Sequence, residues 1–63
     1  MKTETKANIK VASDTIELCA QKLHFQSFKD PSMEKIDKER LQSLCQKLID
    51  VAYALDDLLN HND

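Results

Sequence analysis

The chain has 63 residues, with nine Lys and Arg against eleven Asp and Glu, for a net charge of −2. It contains no Gly, no Trp, one Pro and two Cys. Those counts exclude a Gly-rich phosphate loop or dinucleotide fingerprint, a disulfide framework and a four-ligand zinc site, and they make nucleic acid a poor default partner.

Apolar residues make up 41% and charged residues 32%, a balance that suits a soluble helical domain better than a disordered chain. Below about 70–80 residues a single core rarely supplies more than ~3–5 kcal/mol, so a partner chain is expected. The first twenty residues carry six charges and leave no room for the apolar core of a signal peptide. The longest apolar run, Val51 to Leu55, is far short of a membrane span. The expected location is the cytoplasm, without membrane contact.

In chain order, the first predicted element is a helix over about 4–28. Ile9, Ala12, Ile16, Cys19 and Leu23 repeat at three- and four-residue steps, the seam of a heptad pattern. Val11, Leu18 and Phe25 form a weaker second row. The only strong break follows at Lys29-Asp30-Pro31-Ser32, where Pro31 disfavours helix at the residue before it. Asp30 is a good N-cap type and Pro31 a tolerated first helical residue, so the turn is placed at 29–32 and a second helix at about 32–60. An alternative is a longer loop from about 25 to 36, with Asp37 capping the second helix.

In the second helix Leu41, Cys45, Leu48, Ala52, Leu55 and Leu59 form another heptad seam. Leu44, Val51 and Leu58 flank it at intervals of seven and widen the apolar stripe beyond a two-helix contact. Folding the chain back at residue 32 sets Ile9 against Leu55, Ala12 against Ala52, Ile16 against Leu48, Cys19 against Cys45 and Leu23 against Leu41. The small-on-small layers demand either a close helix approach or a side chain from another subunit. The expected fold is therefore all-α: a single domain over 1–63, an antiparallel helical hairpin that dimerises into a four-helix bundle. Lys2, Lys6 and Lys10 at one end balance Asp50, Asp56, Asp57 and Asp63 at the other once the chain folds back.

No catalytic, cofactor-binding or metal-ligating set emerges. Cys19 and Cys45 read as small buried seam residues, and a disulfide between them stays open because the mirror register places them in one layer. His24 and His61 fall far apart and have no Glu-x-x-His companion. Ser13, Ser27, Ser32 and Ser43 lack a base fixed by local spacing. Phe25, Phe28 and Met33 are expected to cap the core near the turn, covered by Ile36.

The favoured function is a non-enzymatic regulatory or adaptor protein, acting by helix-mediated protein binding and self-association. Leu44, Val51, Leu58 and Tyr53 are the expected interface, the partners being a second copy of the chain and a further protein. One alternative is a small RNA- or DNA-binding regulator using Lys2, Lys6 and Lys10 as a phosphate-contacting face. Another is a co-chaperone or antitoxin-like subunit that completes a bundle with a foreign protein.

Overall fold

A computed structural model describes residues 1–61; Asp63 of the acidic end lies outside them. The chain forms two helices, α1 (Thr3–Lys29) and α2 (Lys35–Asn60), packed against each other as a hairpin. The hairpin is long and thin, 46 × 15 × 10 Å along its principal axes. No described helix is long and apolar enough to cross a membrane.

The turn falls at 30–34, and α2 begins three residues later than the sequence suggests. Its chemistry explains the delay. The Asp30 carboxylate accepts from the Ser32 backbone N–H at 2.9 Å and from its hydroxyl at 2.7 Å. Met33 N–H donates to the Asp30 carbonyl at 3.4 Å. Asp at the first position and Pro at the second are preferred in such a turn. Pro31 thus fixes the turn instead of opening α2, and Asp30 caps the turn instead of the helix. Glu34 precedes α2 and gives it no side-chain cap.

The contact line between the helices is made of small side chains. Ser13, Ala20, Ser27 and Ala52 are fully buried, and Cys45 is 2% exposed. On each helix these residues recur every seven positions, so they occupy position a of a heptad. The six-residue seam read in α2 lies at this line or directly beside it, with all six residues buried or half-buried. In α1 the line sits one residue away from the expected seam. Ile9 and Ile16 are half-buried beside it, whereas Ala12, Cys19 and Leu23 are exposed.

The expected layers change accordingly. Ala52 meets Ser13 rather than Ala12: the Ser13 hydroxyl lies 3.1 Å from the Ala52 carbonyl oxygen. Cys19 is an exposed free thiol and Cys45 a buried one, and no disulfide joins them. Ser27 reaches α2 at Gln42, whose amide donates to the serine oxygen at 3.4 Å. A side-chain hydroxyl can reach the neighbouring helix's backbone only when the axes run close, which small residues permit. The gap feared for small-on-small layers is closed by this approach.

The aromatic end also departs from expectation. Phe25, Phe28 and Ile36 are all more than half exposed, and only Met33 is half-buried. Ile36 lies in the first turn of α2, on the side away from α1, and does not cover the rings.

Two outcomes test this arrangement. Ala20→Leu should destabilise the chain by ~1–3 kcal/mol through overpacking at the contact line, whereas Ala54→Leu, on the outer side of α2, should stay within about 0.5 kcal/mol. Thermal melts at one protein concentration decide it. The Asp30 carboxyl is held below its ordinary 3.8, chiefly by the Ser32 hydroxyl and then by the Ser32 N–H. Its contribution is therefore complete above that value and lost as pH falls through the lower folded one. The stability advantage of wild type over Asp30→Ala should shrink over that acidic window in pH-dependent melts.

Candidate interaction surface

The contact line divides the hairpin into two broad sides of opposite character. Successive residues turn by about 100° around a helix axis, so positions b and e flank a on one side and d and g on the other. A groove of about 410 Å³ fixes which sides of the two helices go together. It is lined by Gln21, His24 and Phe28 of α1 and by Gln42, Gln46 and Ile49 of α2, all at b or e. The b and e positions of both helices therefore share one side, and the d and g positions share the other.

The b and e side is mostly polar in residue type, although Phe28, Ile49 and Tyr53 also lie on it. Lys10 lies 3.2 Å from Asp14 on its own helix and 3.8 Å from Asp56 across the hairpin. Asp56 also accepts from the Ser13 hydroxyl at 2.9 Å, so the single serine proton is shared with the Ala52 carbonyl. The lysine is held above its ordinary 10.5 by its hydrogen bond to Asp14, then by the charges of Asp14 and Asp56. Gln46 donates to Asp50 at 3.1 Å. His24 meets Phe28 edge-on, with ring centroids 5.1 Å apart.

The d and g side is apolar. From α1 it carries Ile9, Ala12, Ile16, Cys19 and Leu23. From α2 it carries Leu41, Leu48 and Leu55 at d, with Leu44, Val51 and Leu58 at g. The d residues of α2 are half-buried. The g row stays open: Leu44 is 55% exposed, Val51 49% and Leu58 43%. The five α1 residues, read from the sequence as the intramolecular seam, thus join the α2 flank row in one continuous strip.

Tyr53 does not belong to that strip. It is 57% exposed at position b, on the polar side, two residues and about 200° from Val51. The four expected interface residues are therefore split, three on one side and one on the other.

Nor do the three lysines form one free strip. Lys2 is exposed ahead of α1, Lys6 is half-buried at position a, and Lys10 is engaged by two carboxylates. Lys10 in particular works as a strap between the helices, as the charge-balance reading of the sequence expects.

Sequence reasoning passed over Ser13 and Ser27, the residues that make the polar contacts of the line. Their signal was the run Ser13, Ala20, Ser27 at intervals of seven, matched by Cys45 and Ala52. Among the described residues no cluster of three or more His, Cys, Asp or Glu side chains is placed to hold a metal ion. Comparison with known protein families, characterised proteins and solved structures finds no match to the chain.

The Lys10 strap makes a signed prediction. A lysine raised by its partners stabilises the fold fully below its ordinary value, and the contribution is lost as pH rises through the higher folded one. Wild type should out-melt Lys10→Gln at neutral pH by a small margin, since exposed ion pairs are weak. The two melting curves should converge above pH 10.5.

Proposed function

We propose that this chain is a non-enzymatic regulatory or adaptor protein that acts by helix-mediated protein binding, with self-association through the d and g side. The observation that carries this reading is the one-sided apolar strip, exposed along α2 at Leu44 and Val51. A hairpin whose buried apolar residues are Ala20, Cys45 and Ala52 has a core far below what independent stability ordinarily takes. Covering the strip supplies the missing burial, at roughly 25 cal/mol for each Å² of apolar surface removed from water. The dimer so formed is a four-helix bundle.

The non-enzymatic part is supported by where the nucleophiles lie. Ser13 and Ser27 are fully buried and hydrogen-bonded inside the hairpin. The Ser32 hydroxyl donates to Asp30 within the turn. Cys45 is buried, and Cys19 sits on the apolar strip. Two free thiols accord with a reducing compartment such as the cytoplasm. The polar side, with its groove and Tyr53, is left accessible in the dimer for a further protein partner.

Light scattering over a dilution series, with helicity followed in parallel, tests the reading. A helical dimer is expected. Val51→Asp should weaken it at least about a hundredfold, equivalent to ~2.7 kcal/mol, because a carboxylate would be buried without a partner. Tyr53→Asp, on the other side, should leave the mass unchanged. A well-folded wild-type monomer at high concentration would overturn the proposal.

A further inference from the structure

We infer that a second copy of this chain covers the apolar strip with its turn at the opposite end of the bundle, so that α1 lies against α1 and α2 against α2. The inference rests on the self-association reading and adds the docking orientation. Two observations carry it.

The first is size. The broad side measures 46 by 15 Å, a footprint on the scale of an interface that buries ~800 Å² per partner. The apolar rows occupy its middle, from Ile9 to Leu23 on α1 and from Leu41 to Leu58 on α2. Polar residues take over at both ends, the usual anatomy of apolar centre and polar rim. A second hairpin has the matching length and the matching strip, and no larger partner is needed to cover it.

The second is charge along the rim. The row bordering the strip on each helix is position c. Toward the turn it carries Lys22 and Lys29 on α1, and Arg40 and Lys47 on α2, all exposed. Toward the open end the same rows carry Asn8 and Thr15 on α1, and Ala54 and His61 on α2, also exposed. Every lysine and arginine of these c rows within α1 and α2 is therefore in the half nearer the turn, while Lys2, ahead of α1, lies at the open end.

A two-fold dimer of stacked hairpins has two choices. With both turns at one end, α1 stacks on the partner's α2. Lys22 and Lys29 then line up beside the partner's Arg40 and Lys47 on both edges, and like charges repel at close range. With turns at opposite ends, Lys22, Arg40 and Lys47 meet uncharged stretches of the partner's rows, and only Lys29 comes near a cation, the partner's Lys2. The whole-molecule charge agrees. Residues 1–16 and 50–61 carry three Lys against five Asp and Glu, a balance of −2. Residues 17–49 carry six Lys and Arg against five Asp and Glu, a balance of +1. Opposite-end docking pairs the two unlike halves. Its two-fold axis crosses the strip near Ile16 and Val51, the middle of the apolar rows, so Ile16 packs on the partner's Ile16 and the strips overlap fully.

The experiment is a spin-label distance measurement on the full chain. Cys19→Ser removes the exposed thiol, buried Cys45 stays, and Ser32→Cys places one label in the turn. Opposite-end docking predicts a label-to-label distance on the scale of the 46 Å long axis. Same-end docking predicts no more than two helix diameters, about 20 Å. Asn60→Cys, labelled near the open end in the same background, lies nine residues from Val51, so opposite-end docking predicts roughly 27 Å there, still longer than the same-end distance. Short distances from both sites would overturn the orientation while leaving the dimer standing. A monomeric mass with no intermolecular distance would overturn both. Raising salt should lessen the preference, because rim charges are screened within about 10 Å at 0.1 M.

Discussion

Everything in this hairpin depends on how closely two helices can approach along one line. Ser13, Ala20 and Ser27 on α1, with Cys45 and Ala52 on α2, present almost no side-chain bulk there. The approach is close enough for a serine hydroxyl to reach a backbone carbonyl of the neighbouring helix. Small residues gain little from burial alone. Their contribution is to bring two backbones and the flanking Ile, Leu and Ile49 side chains into van der Waals range, where many weak contacts add up. The serines are suited to the place because each finds a partner within reach. Ser13 has the Ala52 carbonyl and Asp56, and Ser27 has the His24 carbonyl at 2.6 Å and the Gln42 amide.

That choice has a geometric consequence. When small residues take the centre of the contact, the large apolar residues must sit beside it. On the polar side the flanks include Lys10, Glu17, His24, Gln42 and Asp56, with Phe28, Ile49 and Tyr53 the exceptions. On the other side they are almost all aliphatic. The hairpin therefore acquires two dissimilar broad sides from a single constraint on its middle. A bulky centre would instead have forced the axes apart and let the large residues bury one another within a single chain. The close centre and the open apolar strip are two aspects of one packing solution.

The sequence made α2 legible and α1 only partly so, and the reason is physical. Hydrophobic periodicity finds large apolar side chains, and in α2 these flank the small residues so regularly that seam and contact line coincide. In α1 the small positions include two serines, which a hydropathy reading assigns to the solvent side. The reading consequently settled on Ile9, Ala12, Ile16, Cys19 and Leu23, one step around the helix. The error is informative, since those residues do belong to an apolar surface. They lie beside the contact line, not on it, with Ile9 and Ile16 half-buried and Ala12, Cys19 and Leu23 exposed. The turn was legible in position but not in use. Asp30 and Pro31 suit both a helix start and a tight turn, and only the hydrogen bonds to Ser32 decide between them. The expectation that Phe25, Phe28 and Met33 cap the core rests on Ile36 covering them, and of these four only Met33 is half-buried. Periodicity places Phe25, Phe28 and Ile36 off the contact line, and their exposure follows from that.

In the proposed dimer, so small a private core links folding to assembly. Hairpin formation must order more than fifty helical residues, each at a cost of roughly 1–2 kcal/mol in backbone entropy. A contact line of small residues offsets little of that cost, so most of the compensating burial has to come from the d and g strip. If the strip is covered by a second copy, stability depends on protein concentration, and the melting temperature rises with it by mass action. On the proposed reading, the same dependence supplies a means of regulation through binding. Any helical partner that competes for the strip, or that docks on the polar side of the assembled dimer, shifts the folded population through binding alone. The rim then assumes a second role. In the proposed dimer, the cations of the c rows, held in the half nearer the turn, would discriminate between two dockings that the apolar strip, centred on Ile16 and Val51, accepts alike.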